Sequence, residues 1–346
     1  MTKFLQILLL CGLFLSPSFA QRVITDQLGR SVTLPDEVNK IVVLQHQSLN
    51  VLVQLDAKDK IVGVLESWEK RLGSDYKRLF PEIASLATPG DLKVINFESI
   101  AKINPDVVIT TNYIDKKYIE KLEELKIPVI MMSFFRDSTA GKDTVNPEFE
   151  DEIYSYNNGL VDGILLLGDV AGKSENAKKL VEYIKASQEE LKAYTDKINA
   201  SKRVKLYMAN PNYETYGSGK YTSIIFKRAG GENVAAKDIK GYKQVSPEMI
   251  IAWNPDVIFV QARYESVMDE LKNDKLLKDL KAIKEGKIYL MPEYAKAWGY
   301  PTPEAMSIGE FWVAKKLYPE AFKDFDLDKK VKEYYAEFFK TKYDGK

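Results

Sequence analysis

The chain has 346 residues, 45% of them hydrophobic, which is enough for about two domains with packed cores. Its 50 basic and 50 acidic residues cancel, so no strong field recruits nucleic acid or an acidic surface partner, and no nucleic-acid role is expected. One histidine (His46) and one cysteine (Cys11) exclude most zinc and thiol chemistry, since protein zinc sites usually take several His or Cys ligands.

Residues 1–20 read as a cleaved secretory signal. Lys3 is the positive start, an apolar run covers 4–14, and Ser18-Phe19-Ala20 places small residues at a cleavage site before Gln21. The run is too short to span a membrane, and no second apolar span follows. Cys11 lies inside this segment, where the bulky Leu10 before it argues against lipid anchoring. A periplasmic chain without disulfides is expected. At this size a core does not need them.

Residues 22–34 alternate apolar and polar around a Gly29-Arg30 turn and predict a hairpin. A buried strand at 41–44, a helix over 48–55 and a strand at 61–65 follow. Residues 98–109 then read Glu-Ser-Ile-Ala-Lys-Ile-Asn-Pro-Asp-Val-Val-Ile, and residues 248–259 read Glu-Met-Ile-Ile-Ala-Trp-Asn-Pro-Asp-Val-Ile-Phe. Six positions agree (Glu, Ile, Asn, Pro, Asp, Val). Asn96 and Ser246 can cap a short helix, Pro247 suits a first turn, and Asn-Pro stops the helix before an apolar strand. The 150-residue separation is too long for a solenoid and predicts two similar lobes with a cleft between them.

Between the copies come a helix over 116–125, a strand at 128–132, a polar loop over 137–150, a helix over 154–168, and a long helix from Ser174 to about Asn199. A strand at 204–208 and a helix over 223–229 precede the second copy. A helix over 267–280, a strand at Ile288–Met291 and helices over 303–317 and 331–339 follow it. Alternating strands and helices imply an α/β fold with mainly parallel sheets. The expected organisation is a lobe over 21–172, a rigid linking helix over 173–200 and a second lobe over 201–346.

Catalytic equipment is sparse. No His-x-x-x-His or Cys-x-x-Cys pair, Gly-x-Ser-x-Gly elbow or phosphate loop is present. Carboxylates are plentiful, so an exported carboxylate-dependent hydrolase stays open as an alternative to a binding protein. So does a structural protein of the periplasm.

The opening segment 24–35, the stretch Lys40-Ile41-Val42-Val43-Leu44, the twin Asn-Pro-Asp units, Ala229-Gly230-Gly231-Glu232-Asn233-Val234 and Gln244-Val245-Ser246-Pro247-Glu248 together resemble one family. These are the periplasmic substrate-binding proteins of ABC importers for iron-siderophores, haem and vitamin B12. The likeness covers essentially the whole mature chain. It implies a non-enzymatic, monomeric carrier that delivers its ligand to an inner-membrane permease and its ATPase, with small cleft closure. It also implies that Glu98 and Glu248, one per lobe, dock onto permease arginines. The competing role for an acid in a first helical turn is stabilisation by the helix dipole.

In open parallel sheets ligands sit beyond the carboxyl ends of strands. That rule selects Gln45, His46, Asn112, Tyr113 and Arg136 in the first lobe, and Tyr213, Tyr216, Arg263, Tyr294, Trp298 and Tyr300 in the second. The set is aromatic and polar with an arginine from each lobe. It suits an anionic metal chelate, most simply a ferric siderophore, with a nickel chelate or haem as alternatives. No intrinsic cofactor is expected. His46 could complete the coordination of the chelated metal, or be a hydrogen-bonded rim residue. Arg136 and Arg263 could equally form surface ion pairs.

Overall fold

A computed structural model describes residues 20–198, 203–296 and 299–345. The expected signal segment and Cys11 therefore lie outside the described residues, apart from Ala20. No described helix is long and apolar enough to cross a membrane.

The chain forms two α/β lobes joined by a long helix. The first lobe holds four parallel strands in the spatial order Ile61–Val64, Ile41–Val43, Val107–Thr111, Val129–Met132. The second holds Gly231–Asn233, Val204–Ala209, Val257–Gln261, Ile288–Met291, again all parallel. Counted along the chain, each sheet has its second strand at the edge, then the first, third and fourth. The duplication legible in sequence is thus a duplication of topology, and each sheet has a switch point between its first and third strands.

The repeated unit explains itself at atomic level. Asn96 Oδ1 accepts from the Ser99 amide at 2.9 Å, and Ser246 Oγ from the Met249 amide at 3.4 Å, capping Phe97–Ile103 and Pro247–Trp253. Asn104 (φ 48°) and Asn254 (φ 41°) end these helices in the left-handed region, which asparagine tolerates better than most residues. The following aspartate ties each unit to the first strand of its lobe. Asp106 accepts from the amides of Asn39 and Lys40 at 2.7 and 2.8 Å, and Asp256 from the Lys205 amide at 3.0 Å.

Strand residues alternate between two packing environments, as the pleat requires. Ile41, Val43, Val107 and Ile109 face a core that also contains Leu206, Met208, Val257 and Phe259 from the other sheet. Val42, Leu44 and Val108 face a cluster under the first lobe's outer helices, and Tyr207, Ile258 and Val260 face the second lobe's counterpart. One apolar core therefore runs continuously through both lobes.

The linking helix, Ser174–Thr195, has 22 residues and spans about 33 Å at 1.5 Å per residue. It packs along the helix Glu152–Val170 and against Ala305–Gly309. The chain end crosses back: Leu327–Tyr334 leads into Tyr335–Phe339, which packs on the first-lobe helix His46–Gln54, with the Tyr334 hydroxyl donating to Gln54 Oε1.

Several boundaries differ from the sequence expectation. The helix expected over 223–229 is Tyr221–Arg228, and Gly231, read only as a helix stop, begins an edge strand. The helix expected over 267–280 ends at Asn273, where Asp274 turns the chain by accepting from the Leu276 amide at 2.8 Å.

Candidate ligand-binding cleft

The switch point of the first sheet opens between the end of Ile41–Val43 and the end of Val107–Thr111. The first end delivers Leu44, Gln45 and His46; the second delivers Asn112 and Tyr113. His46 is the first residue of a helix in which every residue is buried, and it is 8% exposed itself. Burial holds its imidazole well below the usual histidine range, and the charges of Arg71, Arg263 and Lys296 push the same way. It is a neutral ring among cations. Arg71 comes from the short helix Trp68–Leu72 beyond the second strand, and Arg263 from the turn Ala262–Tyr264 after Val257–Gln261, so these two reach His46 from opposite lobes. The two segments pack against each other across the cleft.

Tyr113 is pushed upward in pKa by burial, against the pull of Arg71. On the second lobe Tyr216 is buried and packs its ring 4.6 Å from that of Tyr242, while Arg263 lies 4.8 Å over the Tyr264 ring. Gln261 Nε2 donates to Asn210 Oδ1 at 2.7 Å, joining the two strand ends of the second switch point. Tyr300 stacks on Phe135 of the first lobe at 6.1 Å and donates from its hydroxyl to the Val145 carbonyl at 2.8 Å. The Lys220 ammonium lies 5.2 Å over the Tyr300 ring.

The structure therefore brings His46, Tyr113, Tyr216, Arg263 and Tyr300 to one cleft between the lobes. Gln45 lies beside them but spends its side chain locally. Its Nε2 donates to the Met132 carbonyl at 3.1 Å, and its Oε1 accepts from Ser48 at 2.5 Å. Asn112 likewise donates to the carbonyls of Lys142 and Thr144, at 2.7 and 2.8 Å, and fixes the 137–150 loop.

Two selected residues are engaged elsewhere. The Arg136 guanidinium is taken by Asp162 in a two-pronged ion pair that raises its pKa, and it lines a separate surface depression with Thr25, Asp26 and Tyr154. Tyr213 is half-buried against the second lobe's outer cluster with φ 57°, and its hydroxyl donates to Asp274 at 2.6 Å. Tyr294 is buried with its ring edge-on to Tyr343 at 5.5 Å, and it lines the groove onto which the cleft cations open. Trp298 lies outside the described residues. Glu98 and Glu248 are both exposed, in first helical turns of opposite lobes.

Sequence reasoning missed Arg71 and Lys296. Arg71 follows the carboxyl end of the second strand, so the same strand-end rule would have found it. Lys296 is 8% exposed and donates to the fully buried Glu304 at 3.2 Å; nothing local in the sequence marks that pair. The cations open onto a groove of about 1860 Å³ lined by Arg71, Gln261, Arg263, Tyr264 and Lys296, with Tyr289 and Trp312 farther out. Among the described residues no group of three His, Cys, Asp or Glu side chains could hold a metal ion.

The periplasmic binding protein family model matches residues 41–295, which contain both sheets and the cleft. The chain belongs to the periplasmic binding proteins of ABC importers. It is 48% identical over 342 residues to the molybdate-binding protein MolA of Haemophilus influenzae, covering 98% of this chain and 97% of that protein. The solved structure of MolA bound to molybdate superposes with a TM-score of 0.91 at 49% identity, covering 93% of this chain and 99% of that one. A more distant relative is the Fe(3+)-citrate-binding protein YfmC of Bacillus subtilis, 25% identical over 79% of each chain. As a binding protein of this family, the chain acts as the solute-capturing part of an importer, with a permease and ATPase as partners, in a family of carriers rather than enzymes. Family membership also implies a periplasmic location.

Proposed function

We propose that this binding protein captures a tetrahedral oxyanion of the molybdate class and delivers it to its importer. One observation carries the reading: three cations, Arg71, Arg263 and Lys296, act on the buried His46 ring. Such a site attracts an anion and repels a bare metal ion. Guanidinium forks suit the oxygens of an oxyanion, and a neutral imidazole can donate one further N–H. Near-full-length similarity to a molybdate-binding protein supports the same ligand. This replaces the ligand expected from sequence, which placed a ferric siderophore first and a nickel chelate or haem as alternatives. The expectation rested on aromatic side chains and on an arginine from each lobe, and one of the two, Arg136, is held by Asp162. His46 is accordingly assigned to the anion rather than to a metal.

An anionic metal chelate is the second reading. The groove favours it, because about 1860 Å³ exceeds what a tetrahedral ion fills. Glu98 and Glu248 serve as the permease contacts, and residues 1–20 as the cleaved export signal. Titration calorimetry of the mature protein with sodium molybdate, sodium tungstate, sodium sulfate, ferric citrate and nickel–histidine separates the readings. Saturable heat with molybdate or tungstate, and none with the two metal complexes, is the expected result. Binding of ferric citrate alone would replace the oxyanion with the chelate.

A further inference from the structure

Lys220 is a buried cation without an anion. It is 4% exposed and sits just before the helix Tyr221–Arg228. Its Nζ donates to the Val145 carbonyl at 2.7 Å, and among the described residues no carboxylate stands within ion-pair distance of it. An ammonium has three N–H donors, and the structure gives this one a single acceptor besides the Tyr300 ring face. Lysine is almost never buried unless paired, because removing an unpaired ammonium from water is costly. Burial alone pulls its pKa down to about 8, and no charged neighbour contributes to that shift.

The position of this ammonium gives the imbalance a meaning. A Cβ placed on Gly299 would lie 3.3 Å from Lys220 Cδ and 3.6 Å from Tyr216 Cε1, so the lysine stem runs beside Tyr216. Tyr216 in turn meets Arg263, and Tyr300 feels Tyr113 across the cleft. Lys220 therefore stands on the second-lobe wall of the same cleft as His46, Arg71 and Arg263. We infer that Lys220 is a direct ligand of the bound oxyanion, keeping its bond to the Val145 carbonyl and giving its remaining donors to the ligand. This rests on the oxyanion reading. The competing role is a latch that only ties the 137–150 loop to the second lobe, since Val145 also accepts from Tyr300.

Calorimetry with sodium molybdate and thermal melting of the ligand-free protein separate the two roles, using the full mature chain with Lys220→Met and Lys220→Arg. A ligand role predicts at least a tenfold loss of affinity in Lys220→Met, recovery of most of it in Lys220→Arg, and a ligand-free melting temperature unchanged or raised, because an uncompensated buried charge has been removed. Wild-type affinity in Lys220→Met overturns the inference while leaving the oxyanion reading intact. An ammonium that is only a latch gives that affinity together with a lowered melting temperature. No binding of molybdate by the wild-type protein defeats the oxyanion reading itself, and the Lys220 role with it. Should Lys220→Met not fold, wild-type affinity in Lys220→Gln overturns the inference and a tenfold loss supports it.

Discussion

The Glu304 carboxylate and the Lys296 ammonium form a buried ion pair at 3.2 Å, and the same carboxylate accepts from Asn50 at 2.9 Å and Gln54 at 2.9 Å on the first-lobe helix. One residue of the C-terminal segment therefore fixes both a cleft cation and the helix that begins with His46. Asn50 is held in turn by the Tyr76 hydroxyl at 3.2 Å, and Gln54 by Tyr334. Removing the carboxylate takes away the acceptor that Lys296 and two buried amides share. Glu304→Ala should cost about 3–5 kcal/mol of stability, the range for breaking one side of a buried pair. Urea unfolding monitored by circular dichroism measures it, and a loss below about 1 kcal/mol would contradict the strut.

Arg71 and Arg263 are half-buried and reach His46 from opposite lobes. Each alanine variant should weaken molybdate binding by tenfold or more. Melting temperatures should change little, since neither arginine belongs to the apolar core. Calorimetry reads the affinity. If either variant binds as tightly as wild type, its guanidinium does not touch the ligand.

The pH dependence of stability follows from His46. Its folded pKa is depressed, so below about pH 6.5 the unfolded chain takes up a proton that the folded chain refuses. The His46 contribution is fully present above the unfolded pKa and is lost as pH falls toward the folded one. Melting temperature should decline from pH 7 to pH 5, and His46→Gln should flatten that slope. An unchanged slope in the variant would mean the ring titrates normally.

Asp106 and Asp256 hold equivalent places in the duplicated unit. Asp106→Ala strands the amides of Asn39 and Lys40, and Asp256→Ala strands that of Lys205. Losses of about 1–3 kcal/mol are expected for each, larger for Asp106 because it serves two amides. Chemical denaturation of the two single variants tests both size and order.

Glu98 and Glu248 are exposed, and neither is part of the cleft. Reversing both, Glu98→Arg with Glu248→Arg, should leave molybdate affinity intact and abolish uptake by proteoliposomes carrying the cognate importer. Uptake at the wild-type rate would assign these acids to helix stabilisation alone.

The fold was legible because its evidence is local and repeated. The Asn-Pro-Asp units, their caps and the alternating strands each follow from short-range rules, and the twin copies reinforced one another. The cleft was legible only as strand ends. His46, Tyr113, Tyr216, Arg263 and Tyr300 were found this way because strand ends converge at a switch point. Arg136 obeyed the same rule but takes the ion-pair role that was also open to it, since Asp162 lies 26 residues away on the helix Glu152–Val170. The Lys296–Glu304 pair and the burial of Lys220 against the Val145 carbonyl and the Tyr300 ring depend on how distant segments meet, which no short window of sequence records. The proposed oxyanion ligand was not legible for a related reason: a list of aromatic side chains suggests a flat chelate, whereas the cations around His46 come from three residues spread over 226 positions, from 71 to 296 inclusive.

The apolar interior shared by both sheets carries a consequence for how the molecule comes apart. The two halves share one large apolar cluster, and the segment that closes the first half follows both sheets along the chain. A fragment ending before Tyr334 lacks that closing segment and should be degraded faster than the whole chain.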